Sequence, residues 1–290
     1  MIVVTGAAGK TGRAVIRALV ARGQSVRAVV HRPGQAQLVE ELGAQQVVVG
    51  DMLVQATMDR AAQGTRAIHH ICPNVHPKEV AIGQVAIASA RAAGMQHFVY
   101  HSVLHPQIEA MPHHWHKMRM EELLFQSGLN YTILQPAAYM QNVLAQWEQV
   151  VEKGIYAVPY AVETRLGMVD LEDVAEAAAT VLTEPGHEGA TYELAGPESL
   201  AQTEVAAILS QQLVRPVRAE AEPLGMWERR ARESGLGDYQ VRTLVNMFRY
   251  YECHGFWGNP RVLTWLLGRP PTTFAAFAER VAQDRAEGRR

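Results

Sequence analysis

The stretch VVTGAAGKTGRAV, residues 3–15, decides how the chain is read. A β-branched run leads into three glycines, Gly6, Gly9 and Gly12, and an amphipathic segment begins at once. Glycine tolerates the positive φ that a sharp strand-to-helix turn demands. It also lets backbone N–H groups approach a bound anion, and the start of a helix adds unpaired donors and a partial positive charge. A glycine triplet alone serves equally well as a tight turn with close helix–strand packing. Its place after the first strand of an alternating array favours a dinucleotide pyrophosphate as the occupant.

That array is visible in the first half of the chain. Short β-branched runs recur at IVVT (2–5), SVRAVV (25–30), QQVVV (45–49), AIHHI (67–71), HFVYHS (97–102) and YTIL (131–134). Segments of helical spacing lie between most of them. Val15, Ile16, Leu19 and Val20 form one apolar stripe, stopped by Gly23. Further helices are expected over about 79–93, ending at Gly94, and over about 113–126, between Pro112 and Gly128. Alternating strands and helices imply right-handed crossovers and a doubly wound, parallel α/β sheet. In such a sheet the ligand crevice lies beyond the carboxyl ends of the strands.

After about Val150 the rhythm changes. Residues 166–182 read as one more strand and helix, and 190–196 as another strand. The tail, richer in Pro, Trp and Arg, carries helical patterns near 201–212, 223–233, 238–250 and 272–284. The expected layout is a dinucleotide-binding domain over 1–150 and a smaller, mainly helical substrate lobe over 151–290, with 166–196 packing back on the sheet.

Composition narrows the function classes. The 290 residues are 48% hydrophobic, which allows a sizeable core, and the formal net charge is −2. That balance argues against a nucleic-acid or anionic-membrane binder. Two cysteines, Cys72 and Cys253, are too few for a disulfide framework and suggest a reducing compartment. No apolar run reaches the roughly 18 residues of a membrane span. The first strand leaves no room for a cleavable leader, so a cytoplasmic protein is expected.

The spacing G-x-x-G-x-x-G in TGAAGKTG (5–12) resembles the atypical and extended short-chain dehydrogenase/reductases, and in particular the NmrA-like group. Further stretches match that group in register: VRAVVHRP (26–33), VVGDM (48–52), FVYHSV (98–103), HKMRMEELLFQSGLNYTILQPAAYMQN (116–142) and LLGRPPTTFAAF (266–277). The resemblance covers nearly the whole chain, and the long central stretch is far more specific than the glycines. It implies a Rossmann fold and an NADP(H) site formed by Gly6, Ala8, Gly9, Lys10, Thr11 and Gly12. Also implied in that site are His31, Arg32, Asp51, Met52, Cys72, Pro73, Ser102, Lys117 and Pro136.

The end of the second strand discriminates between cofactors. An acid there would bind the ribose hydroxyls and repel a 2′-phosphate. This chain has His31 and Arg32, and Lys10 adds charge in the glycine loop, which favours NADP(H) over NAD(H). The group's usual phosphate-binding Arg falls at His31. Asp51 would accept from the adenine amino group, or cap a segment starting near Leu53. Cys72 reads as a small wall residue beside the cofactor ribose.

Short-chain reductases use Tyr-x-x-x-Lys with a preceding Ser. Lys117 matches the Lys, Ser102 the Ser region, and His113 stands at the Tyr position, four residues before Lys117 and so on the same helical face. Lys117, His113 and Ser102 are the candidate catalytic residues, with His113 a candidate acid that a nearby Lys would hold toward its neutral form. A metal is not expected: His113, His114 and His116 diverge around a helix, and no ligand motif is present. Asp170 and Asp173 read as helix-start carboxylates. Tyr139, Met140 and Asn142 are expected beside substrate, and the aromatic run 247–257 as a pocket roof or as core.

The function implied is an NADP(H)-dependent oxidoreductase passing hydride to a small carbonyl, quinone or conjugated alkene. The absent Tyr motivates one alternative, a non-catalytic NADP(H)-binding redox sensor acting through a partner protein; a third reading, a sugar-nucleotide epimerase or lyase, needs bound NAD and normally the Tyr. A homodimer is open in either case.

Overall fold

The computed structural model describes residues 1–287. The chain begins with β1 (Ile2–Val4), α1 (Lys10–Ala21), β2 (Val26–Val30), α2 (Ala36–Glu40), β3 (Gln46–Val49), α3 (Gln55–Ala62) and β4 (Ala67–His70). It continues with α4 (Glu79–Ala92), β5 (His97–His101), α5 (Pro112–Phe125) and β6 (Tyr131–Pro136). Next come β7 (Ala138–Tyr139), α6 (Trp147–Lys153), β8 (Ile155–Val158), β9 (Arg165–Val169), α7 (Leu171–Thr183) and β10 (Ala190–Leu194). Last are β11 (Ser199–Ala201), α8 (Gln202–Gln212), β12 (Arg218–Ala221), α9 (Leu224–Glu233), α10 (Asp238–His254), α11 (Arg261–Leu267) and α12 (Phe274–Ala286).

These elements form two compact units. The first takes Met1–Glu109, His113–Pro136 and Leu171–Glu193. Its seven-stranded sheet has the order β10-β6-β5-β4-β1-β2-β3, and β1 to β6 pair in parallel. Strand order turns back between β1 and β4, the switch point at which a doubly wound sheet opens its ligand crevice. Central strands are apolar on both faces because helices cover both: Ile2, Val3 and Val4 are wholly buried. One face packs Val3, Ile68, Phe98, Tyr100 and Ile133 against Ala86 and Ala90 of α4 and Met120 and Leu124 of α5.

The second unit takes Ala110–Pro112, Ala137–Asp170 and the chain from Leu194 on. Besides helices it carries a three-stranded sheet, β11-β9-β7, and a parallel pair, β12-β8. As expected, this lobe is mainly helical, with α6 and α8 to α12; its short strands escape notice in the sequence, and one of them, RAEA in β12, has no apolar alternation. Trp147, Tyr156, Leu209, Phe274 and Phe277 share its core. The aromatic run 247–257 feeds that unit's interior: Tyr251 and Phe256 are buried, and Phe248 and Tyr251 pack on Tyr160.

The stretch 166–196 divides between the units. Strand β9 pairs within the second unit, whereas α7 packs on α1 and β10 extends the large sheet. No described helix is long and apolar enough to cross a membrane.

Candidate active site

The carboxyl ends of β1 to β5 bring the sequence-predicted residues to one edge of the first unit. At the end of β1, Gly6 has φ +57°, and a Cβ there would lie 2.8 Å from the Ile71 carbonyl oxygen. A Cβ on Gly12 would lie 2.5 Å from the Gly6 oxygen and 2.6 Å from Ala7 Cα. Both positions therefore exclude side chains. Thr5 explains why the turn holds its shape. Its buried hydroxyl accepts from Ile71 N at 2.8 Å and donates to Ile71 O at 3.1 Å, which ties β1 to the end of β4.

Helix α1 starts at Lys10 with no side chain capping Gly9 and no acid in its first turn. Such a helix start, flanked by residues without side chains, fits a pyrophosphate held by backbone amides. Near the start of α1, the buried Arg13 Nε has no hydrogen-bond partner among the described residues. Sequence reasoning had not singled out Arg13.

His31 and Arg32 are exposed just past β2, with no acid between them and the next turn. Their backbone N–H groups both donate to Gln35 Oε1, at 3.1 and 3.0 Å, so Gln35 sets the shape of the turn. Asp51, past β3, is exposed and accepts from Leu53 N at 2.9 Å. It closes the turn before α3, which begins two residues later than the capping reading supposed. Met52 packs on the sheet's core. Pro73 is exposed past β4, and Pro136, at the end of β6, is buried with its carbonyl accepting from Leu104 N at 2.8 Å.

Lys117 lies in α5, and its ammonium is tightly held. Nζ donates to Glu79 Oε1 at 2.9 Å and to the His101 carbonyl at 3.1 Å, and it stands 5.3 Å from the Tyr100 ring centroid. Glu79, in the first turn of α4, also accepts from Tyr100 OH at 2.8 Å and from the Cys72 thiol. Burial alone would push Glu79 up, but Lys117 and these donors hold it below the ordinary glutamate value. Burial, reinforced by Glu79, pushes the Cys72 thiol up, so Cys72 is an inert donor and no nucleophile.

Ser102, one residue past β5, donates a short hydrogen bond to Glu121 of α5. Gln135 Nε2 reaches both oxygens of that carboxyl at 3.0 Å each. Burial pushes Glu121 up, outweighing the bonds from Ser102 and Gln135 and the more distant charge of Lys117.

His113 shares the α5 face of Lys117, as the spacing requires, but not the role of a protonated acid. Burial, then His114, Lys117 and His116, lower it to about 3, and its Nδ1 has no hydrogen-bond partner among the described residues. That direction agrees with the expectation that a nearby Lys holds His113 toward its neutral form, with burial the larger cause. Burial likewise lowers His69 to about 3 and His70 to about 4, and it takes His101 well below the ordinary range. Met140, expected beside substrate, is buried in the second unit's core.

Glu79, Tyr100, Glu121 and Gln135 are the site residues sequence reasoning missed. Glu121 carried a signal, since it follows Lys117 by four residues on one helical face. Glu79 carried none beyond an acid opening an apolar helix, because its partner lies 38 residues away.

Against known proteins, the family model described as the NmrA-like family matches residues 1–274. The chain is 29% identical over 281 residues to an NAD(P)H azoreductase of Xenophilus azovorans, covering 96% of this chain and 97% of that one. It is 29% identical over 279 residues to quinone oxidoreductase 2 of Escherichia coli, covering 95% and 96%. The crystal structure of an Escherichia coli NADPH-dependent quinone oxidoreductase complexed with NADPH superposes with a TM-score of 0.84 at 28% identity, over 97% of this chain and 99% of that one.

Proposed function

The chain belongs to the NmrA-like family, and from that premise we propose that it is an NADP(H)-dependent oxidoreductase reducing a small conjugated acceptor, of the quinone or azo class. The observation that carries the reading is the side-chain-free turn at Gly6–Gly12, uncapped at the start of α1 and accompanied by a basic second-strand turn. Azoreductase and quinone-reductase relatives aligned over nearly their full lengths support the same activity. They do not favour the regulator reading that the missing Tyr had kept open.

When bound, the reduced nicotinamide supplies the hydride. Amides of the Gly6–Gly12 turn would hold the pyrophosphate, and His31 and Arg32 would hold the 2′-phosphate. Lys117, fixed by Glu79 and the His101 carbonyl, offers its remaining N–H to a ribose hydroxyl. Ser102 would donate to the acceptor oxygen. The acceptor is a small molecule, and no described helix offers a membrane span.

Incubating purified protein with NADPH and a panel of quinones, azo dyes and carbonyls tests this directly. Loss of the nicotinamide absorbance that depends on both protein and acceptor is expected. No oxidation with any member overturns the reading.

A further inference from the structure

Two glutamates are buried beside Lys117, on neighbouring helices, and their surroundings drive them in opposite directions. Glu79 has a cation at 2.9 Å and stays ionised. Glu121, 3% exposed, has no ion-pair partner within salt-bridge distance among the described residues. The groups facing it are Tyr100 from β5, Ser102 just past that strand, Gln135 from β6 and Lys117 from its own helix. Of these only Lys117 is a cation, and its hydrogen bonds go to Glu79 and the His101 carbonyl. Tyr100, raised well above its ordinary value by burial, is neutral. When two carboxyl groups are pushed apart like this, one serves as fixed charge and the other as proton carrier. His113, neutral at pH 7, cannot fill the second role.

Resting on the reductase reading, we propose that Glu121 stores the proton for the reaction and delivers it through the Ser102 hydroxyl to the acceptor. In its protonated form Glu121 donates to Ser102 Oγ, which frees the Ser102 O–H for the acceptor. As the acceptor takes hydride from the reduced nicotinamide, the Ser102 O–H bond breaks and its proton joins the acceptor oxygen or nitrogen. The Glu121 O–H bond breaks in turn and restores the hydroxyl. Glu121, left as a carboxylate, regains a proton from solvent through Ser102 once the product leaves. The sum is acceptor plus reduced nicotinamide plus one proton, giving reduced acceptor plus oxidised nicotinamide. Glu121 thus acts through Ser102, and Gln135 holds its carboxyl in place.

The test compares wild type with Glu121→Gln, Glu121→Asp and Ser102→Ala. Infrared difference spectra of the cofactor-free protein, titrated with base, should show a protonated-carboxyl C=O band lost above the ordinary glutamate range. That band should vanish in Glu121→Gln and persist in Ser102→Ala. With NADPH and a quinone, both variants should lose about 100-fold or more in single-turnover rate. Wild type and Glu121→Asp should lose rate as pH rises through the Glu121 titration, and Glu121→Gln should not. A missing band, a band that survives Glu121→Gln, or a Glu121→Gln pH profile matching wild type overturns the proposal while leaving the reductase reading standing. Wild-type protein that shows the band yet oxidises no NADPH with any acceptor overturns the reductase reading and the delivery step together.

Discussion

Replacing Lys117 with Met keeps much of the side chain's apolar length and removes its charge from Glu79. The two partners are 15% and 4% exposed, so water cannot compensate. Breaking such a pair typically costs about 3–5 kcal/mol. Here a ceiling applies, because Glu79 can escape by taking a proton. At pH 7 that costs about 1.36 kcal/mol for each unit above the ordinary value of about 4.3, or about 3.7 kcal/mol. The Tyr100 and Cys72 donors remain and reduce the penalty. Losing the bond to the His101 carbonyl adds about 1 kcal/mol that does not depend on pH.

The sign follows from linkage. In wild type Glu79 sits below its ordinary value, so its contribution is present above about pH 4.3 and fades as pH falls through the lowered value. In the variant Glu79 moves up and binds a proton that the unfolded chain does not, so destabilisation grows as pH rises. Urea unfolding of cofactor-free protein should therefore show a loss of about 3–4 kcal/mol at pH 7, shrinking to about 1–2 kcal/mol at pH 5. Comparison with wild type at each pH removes most of the histidine contribution, because burial, the first cause of their lowering, is unchanged by the substitution. Adding Glu79→Gln should recover most of the pH-dependent part. An equal loss at both pH values, or none at pH 7, refutes the reasoning.

Three further outcomes are expected. Gly12→Ala puts a Cβ against the Gly6 and Ala7 backbone, which side-chain motion cannot relieve; at about 1–3 kcal/mol of overpacking, calorimetry should find NADPH affinity reduced at least about fivefold. Arg32→Asp should shift preference from NADPH toward NADH by at least about tenfold, read from kcat/KM for the two cofactors. His69, His70 and His113 bind protons near pH 6.5 when unfolded but only at about 3 to 4 when folded, so wild-type stability should fall as pH drops from about 6.5 to 4 in urea melts.

The first unit was legible because each of its strands from β1 to β6 is a short β-branched run and each crossover has a glycine or proline stop. The glycine turn was visible in its spacing, whereas His31–Arg32, Ser102 and Lys117 were singled out through the resemblance to the NmrA-like group. What spacing could not reveal was the direction in which buried charge is compensated. Nothing local links Glu79 to Lys117, and nothing in HHWHK shows that burial keeps His113 neutral. The second unit's helices were legible, but β7, β8, β11 and β12 were not, because they are two to four residues long and take their identity from partners distant in sequence.

The central claim is that the turn at Gly6–Gly12 seats NADP(H), and a crystal structure of the protein grown with NADPH tests it most directly. The account predicts the pyrophosphate on the amides of that turn, the 2′-phosphate in hydrogen-bond reach of His31 and Arg32, and the nicotinamide end beside Ser102 and Lys117. A cofactor seated anywhere else, or a turn left empty at saturating NADPH, contradicts it.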